Sequence, residues 1–132
     1  MRKQILIVAV SLLIVAGSSS CFHRHHSTSV TISDTGDELE LDASYDKYKT
    51  YKIQRLLDRE LGDQCDASFR HRHVDTRVTL DDRTSFYLRS FPGKLNIRLD
   101  KSENPEESCE RIKALCEDIK DALSGNRMDI NY

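Results

Sequence analysis

The chain of 132 residues is short of most features that announce an activity. It has five glycines and no phosphate-cradling glycine loop, no G-x-S-x-G, no H-E-x-x-H and no paired C-x-x-C. Charge of one sign is also missing: 20 Lys and Arg stand against 22 Asp and Glu, for a net charge of -2 and a pI near 6.2. A polyanion such as nucleic acid is therefore not an expected partner. No apolar run reaches the ~20 residues of a membrane-spanning helix, since the longest, Ile5 to Ala16, has about 12. No internal repeat is visible either. With the N-terminal segment removed, about 110 residues remain, enough for one domain burying roughly 60 to 70% of its unfolded surface. Such a domain leaves little room beside its core for a pocket of ~300 Å³ or more. The expectation is accordingly for no catalytic residues, no resident metal and no cofactor.

What is present begins at the N-terminus. Met1-Arg2-Lys3 supplies positive charge, Ile5 to Ala16 an apolar stretch, and Gly17-Ser18-Ser19-Ser20 a zone of small residues directly before Cys21. These are the three parts of a secretory signal. Ending at a cysteine, the segment Met1 to Cys21 resembles the signal of bacterial lipoproteins, in which signal peptidase II cleaves before a cysteine that carries diacylglycerol. Ser18, Ser19 and Ser20 fill the box, with Ser18 standing where that class has Leu. The resemblance implies a signal peptide over 1–20, lipid attachment at Cys21 and a bacterial cell-envelope location with a membrane as first partner. Phe22 is not the Asp that resembles an inner-membrane retention signal, so the outer membrane is the expected destination. The same residues also suit Ala16-Gly17-Ser18 or Ser18-Ser19-Ser20 as a small-x-small cleavage site, which would release a soluble protein, and an uncleaved anchor is the third reading.

A lipid on Cys21 changes the cysteine arithmetic. Of four cysteines, Cys65, Cys109 and Cys116 are left, an odd number that permits at most one internal bridge. Cys109 and Cys116 are seven apart in a helical pattern, ~10 Å along the axis, and cannot bridge each other. Any internal disulfide must use Cys65; the competing reading is of two small buried apolar residues and a free loop thiol.

Residues 21–28, rich in His and Ser without apolar periodicity, read as the lipidated Cys and a flexible tether, and 29–132 as a single domain. Val30 and Ile32, then Leu39, Leu41 and Ala43, alternate with polar residues around the turn Asp34-Thr35-Gly36-Asp37, a hairpin with one apolar face. Tyr48, Tyr51, Ile53, Leu56, Leu57 and Leu61 recur at helical spacing, with Asp46 as the N-cap and Gly62 as the stop. Val74, Thr76, Val78 and Leu80, then Phe86 and Leu88, then Leu95, Ile97 and Leu99 form a three-strand meander turning at Asp81 to Thr84 and at Pro92-Gly93. A last helix has Asn104 as N-cap, Pro105 first, Glu107 reciprocating, Gly125 at its end, and a stripe of Cys109, Ile112, Leu115, Cys116, Ile119, Ala122 and Leu123. The order ββαβββα predicts an α+β two-layer sandwich, an antiparallel sheet of about five strands with two helices on one face.

The opposite sheet face is then the place for binding. Asp75, Arg77, Thr79, Tyr87, Arg89, Phe91, Lys94, Asn96 and Arg98 point outward, and Arg77, Tyr87, Arg89 and Arg98 form a candidate ligand face for an envelope glycan or protein. Against that stands self-pairing: Glu38, Glu40 and Asp42 share the outward side and would neutralise the arginines if the hairpin pairs beside the meander. His71 and His73, two apart in a strand, share a face and with Cys65 suggest an alternative, a soluble exported enzyme or metal-handling protein, but no set of three or four ligands has dependable spacing. His23, His25 and His26 lie in the tether. The function expected is a lipid-anchored envelope protein, non-enzymatic, working as a binding or interaction module; no motif identifies its partner or oligomeric state.

Overall fold

Alternation at period two buries one face of a strand and wets the other, and it is the device this sequence uses to make a sheet. A computed structural model describes residues 28–125. Its elements are β1 (Ser29–Asp34), β2 (Glu38–Ser44), α1 (Thr50–Leu61), β3 (Val74–Thr79), β4 (Ser85–Phe91), β5 (Lys94–Asp100) and α2 (Glu106–Ser124), with 3₁₀ turns at Lys47–Lys49, Gly62–Gln64 and Lys101–Glu103. The order is the expected ββαβββα and the class is α+β. All five strands pair antiparallel in one sheet of order β1-β2-β5-β4-β3. The last meander strand thus inserts beside the first hairpin, with Leu41 opposite Ile97 and Leu39 opposite Leu99.

The core lies between this sheet and the two helices. Leu39, Leu41, Ala43, Val78, Phe86, Leu88, Leu95, Ile97 and Leu99 are buried from the sheet, and Ile53, Leu57, Leu61, Ile112, Cys116, Ile119 and Leu123 from the helices. Phe69, in the segment before β3, is buried as well. At about 25 cal/mol per Å² of apolar surface, each fully buried Leu, Ile or Phe contributes roughly 1.5–3 kcal/mol. Val30 and Ile32 on the edge strand β1 are half-buried against the same cluster. Thr76 shares the inward parity of Val74 and Val78 but is exposed, because β3 is the opposite edge of the sheet.

Three local expectations are corrected. Tyr48 and Tyr51 belong by spacing to the α1 stripe, yet they are 75% and 63% exposed, and only Ile53, Leu56, Leu57 and Leu61 face the core. A 3₁₀ turn at Lys47–Lys49 precedes α1 and shifts the phase of Tyr48, Tyr51 lies two residues before Ile53 and so about 200° round the helix from it, and Asp46 makes no side-chain cap bond. Asn104 does not cap α2, whose N-cap is Pro105. Its amide instead accepts from Ser85 N and donates to the Ser85 and Asp100 carbonyls, at 2.9, 3.0 and 2.9 Å, tying β4 to the end of β5. Gly62 keeps a helical φ of -60° and passes into a further 3₁₀ turn, whereas Gly125 takes the left-handed stop at φ 78°.

Strand ends define two ends of the domain. At one, Ser29 pairs with Ser44 and Ser44 with Lys94, so the N-terminal strand enters beside the Pro92-Gly93 turn. Gly93 is required there: its φ is 81°, and a Cβ would stand 2.9 Å from the Tyr45 carbonyl oxygen. Tyr45 N donates to Gly93 O and Gly93 N to Thr50 Oγ1, both at 2.9 Å, which locks the start of α1 against this turn. The other end gathers the Thr35–Asp37 turn, the Asp81–Thr84 turn and the start of α2.

Candidate functional site

Four residues expected to form a ligand face, Arg77, Tyr87, Arg89 and Arg98, do share the uncovered side of the sheet. Register sets them side by side, Arg77 opposite Tyr87, and Tyr87 opposite Arg98. Each is also already engaged. Arg98 Nε lies 3.4 Å from Glu38 and 4.0 Å from Glu40, carboxylates that reach it because β2 pairs with β5. Arg89 meets Asp75 at 3.6 Å, and its guanidinium lies 5.6 Å from the centre of the Phe91 ring. Arg77 donates to Ser85 Oγ at 2.9 Å and meets Glu103 at 3.3 Å. Tyr87, 40% exposed, donates to Asp75, and this hydrogen bond raises the phenol pKa above its ordinary value. Asn96 completes the lattice by donating to Glu40 at 2.9 Å. The hairpin acids therefore neutralise Arg98 across strands, while Arg89 and Arg77 are met by Asp75 of β3 and by Glu103 beyond β5. The resulting surface is an ordered charge lattice around one tyrosine ring.

A second constellation has no counterpart in the sequence reading. A cleft of about 350 Å³, more room than the length of the domain predicts, opens where α2 starts, lined by Asp34, Leu39, Lys101, Asn104, Cys109 and Lys113 among others. Asp34 receives Lys101 at 2.5 Å and Lys113 at 3.0 Å, and the two ammonium groups hold its carboxyl below the ordinary value. Lys101 also donates to the Thr35 carbonyl. Cys109 faces the same cleft, and partial burial pushes its thiol up, away from a reactive thiolate. With Glu106 and Glu110 on its rim, the cleft has both lysine charges matched by acids. No sequence signal marks it, since its parts come from β1, the end of β5 and α2.

The residues of the alternative reading are not brought together. Cys65 donates to the Leu61 carbonyl at 3.5 Å beyond the end of α1. His71 O accepts from Gln54, which lies seven residues before Leu61 on that helix, an axial separation of roughly 10 Å. His73 packs on Phe91, ring centres 5.2 Å apart. Cys65, Cys109 and Cys116 are free thiols, and among the described residues no three His, Cys, Asp or Glu side chains group as a metal site. Cys21 and the tether histidines His23, His25 and His26 lie outside the described residues. Compared with known proteins, the chain matches no family model, no curated protein and no solved structure.

Proposed function

We propose that the chain is a lipid-anchored protein of the bacterial cell envelope, a non-enzymatic module that contacts another envelope component, a protein or a glycan. The observation that carries the reading is the order of the chain: the lipobox-like signal closes on Cys21, and the described domain begins at Thr28, seven residues on. No helix among the described residues is long and apolar enough to cross a membrane. Acyl chains on Cys21, at ~0.8 kcal/mol per buried CH₂, would supply the hold.

The sheet face is the contact surface in this proposal. Tyr87 offers a ring for stacking on a sugar, and Arg77, Arg89 and Arg98, oriented by their carboxylate partners, offer planar donors to a partner's acids or hydroxyls. Fractionation and in-cell cross-linking test the two halves separately. Cys21→Ala should move the protein from the membrane to the soluble fraction. A photo-cross-linker at Tyr87 should give one discrete adduct in intact cells, lost in Arg89→Ala/Arg98→Ala. A variant that stays on the membrane contradicts the anchor; the absence of an adduct contradicts the contact surface.

A further inference from the structure

The near-neutral net charge of this chain conceals a segregation along its length. The end with the turns and the start of α2 collects Asp34, Asp37, Asp81, Asp82, Glu103 and Glu106; of its bases Lys101, Arg111 and Lys113 are each bound to a carboxylate, and Arg83 is exposed in the Asp81–Thr84 turn. The end where β1 enters collects bases. Lys47, Lys49 and Lys94 are drawn together there by the close approach of Gly93 to Tyr45 and Thr50, with Asp46 among them, Asp42 opposite Asn96 on the adjoining strands and Asp121 near the end of α2. Arg72 is exposed on the segment leading into β3, whose first residue, Val74, pairs with Ser90 near the same turn. Two exposed aromatics, Tyr48 and Tyr51, sit among these bases, and the Arg55 guanidinium lies 5.5 Å from the centre of the Tyr51 ring. Lys49 stands at the N-cap of α1 without a side-chain cap bond, so the positive end of that helix dipole adds to the charge of this surface. The opposing negative end of α2 is covered by Lys52, which donates to the Ala122 carbonyl at 3.4 Å.

We propose that this end, built by Lys47, Tyr48, Lys49, Tyr51, Arg72 and Lys94, lies against the anionic phospholipid surface of the membrane to which Cys21 ties the chain. The inference rests on the anchor proposed above and adds an orientation to it. Chain length argues for it: seven residue steps from Cys21 to Thr28 reach at most ~25 Å, so the end where Ser29 begins is held near the lipid. Charge argues for it, because clustered Lys and Arg are attracted to anionic headgroups and acids are repelled. The tyrosines argue for it, since an amphipathic ring with a polar tip suits the headgroup level and gains little from standing in bulk water. The acidic end and the uncovered sheet face then point away from, or stand beside, the membrane, where a second component can reach them.

The test uses the full chain, produced with its own signal in a host that acylates lipoproteins. It is placed on vesicles containing phosphatidylglycerol and, separately, on phosphatidylcholine vesicles, and lysine acetylation by a water-soluble ester is read residue by residue by mass spectrometry. Lys47, Lys49 and Lys94 are expected to label several-fold more slowly on the anionic vesicles, the difference vanishing at about 0.5 M salt, while Lys113 at the other end labels alike on both. Equal rates at Lys47, Lys49 and Lys94 would overturn the proposal, as would equal slowing of Lys113. Protection seen in cells but on neither vesicle would also overturn it, in favour of an acidic protein on this end. The mass of the N-terminal peptide from the same sample keeps the anchor apart: acylated but unprotected chain removes the docking surface alone, and protected but unacylated chain removes the anchor alone.

Discussion

Asp34, the last residue of β1, and Lys113 of α2 meet at 3.0 Å, and Lys101 closes on the same carboxylate from just beyond β5. The pair is the direct charge link between the edge strand and the second helix. Both ammonium groups favour the ionised acid and lower its pKa from the ordinary 3.8. A depressed folded pKa means stability that is present above the unfolded value and lost as pH falls through the folded one. Asp34→Asn should therefore lower the urea midpoint at pH 7, and its difference from the parent should shrink below pH 4. A constant difference down to pH 2 would contradict the clamp.

Asn104 makes three hydrogen bonds from a buried position, and Thr84 Oγ1 donates to Ser108 Oγ at 2.7 Å beside it. Asn104→Ala leaves the Ser85 amide and two carbonyls short of partners, a cost of about 2–4 kcal/mol in chemical denaturation. Asn104→Asp should not rescue it, because a carboxylate can accept from Ser85 N but cannot donate to the Ser85 and Asp100 carbonyls. A loss below ~0.5 kcal/mol, the range of a neutral surface substitution, would show that the staple contributes nothing to the fold.

This staple also marks the limit of what the sequence discloses. Asn104-Pro105 ahead of Glu107 has the composition of a helix start, and the helix does start there; that Asn104 turns instead toward β4 is decided by strands 4 and 5 packing beside it, which local pattern does not contain. Strand parity is legible because alternation is strict from Leu39 to Ala43 and from Leu95 to Leu99. It carries the sheet, the outward placement of Arg77, Tyr87, Arg89 and Arg98, and the condition on which the neutralisation of Arg98 depends. That condition, β2 beside β5, brings Glu40 opposite Arg98 and belongs to topology. Tyr48 leaves the stripe because a 3₁₀ turn breaks the 3.6 period before Thr50, and Tyr51, two residues before Ile53, stands about 200° round the helix from it. The basic end and the Asp34 cleft stay hidden for the same reason: each joins segments more than 20 residues apart, visible only once register is known.

Tyr45 and Cys116 set an alkaline limit. Burial raises the Tyr45 phenol from 10.0 to about 12 and the Cys116 thiol from 9.0 to about 12. Stability that rests on the neutral forms is complete below the unfolded pKa values and is lost as pH rises through the folded ones. Thermal unfolding should thus be level near pH 8 and fall from pH 9 upward. Tyr45→Phe should flatten the part above pH 10. The Tyr45 hydroxyl is buried without a partner among the described residues, so the same variant should gain about 1 kcal/mol at pH 7. A loss there would mean that the hydroxyl is bonded in solution.

The sheet-face arginines should matter little to folding. Arg77, Arg89 and Arg98 are each more than half exposed in their side chains, and exposed pairs are worth ~0–1 kcal/mol. Single Ala variants should unfold within ~1 kcal/mol of the parent, leaving any loss of an in-cell adduct to report on contact rather than on stability. A destabilisation several times larger would make the lattice structural.

The most direct test of the account is the intact mass of the mature N-terminal peptide from membranes of producing cells. The account predicts a chain that starts at Cys21 and carries diacylglycerol. An unmodified start, at Ser19 or at Cys21 itself, would contradict the anchor and leave a secreted domain.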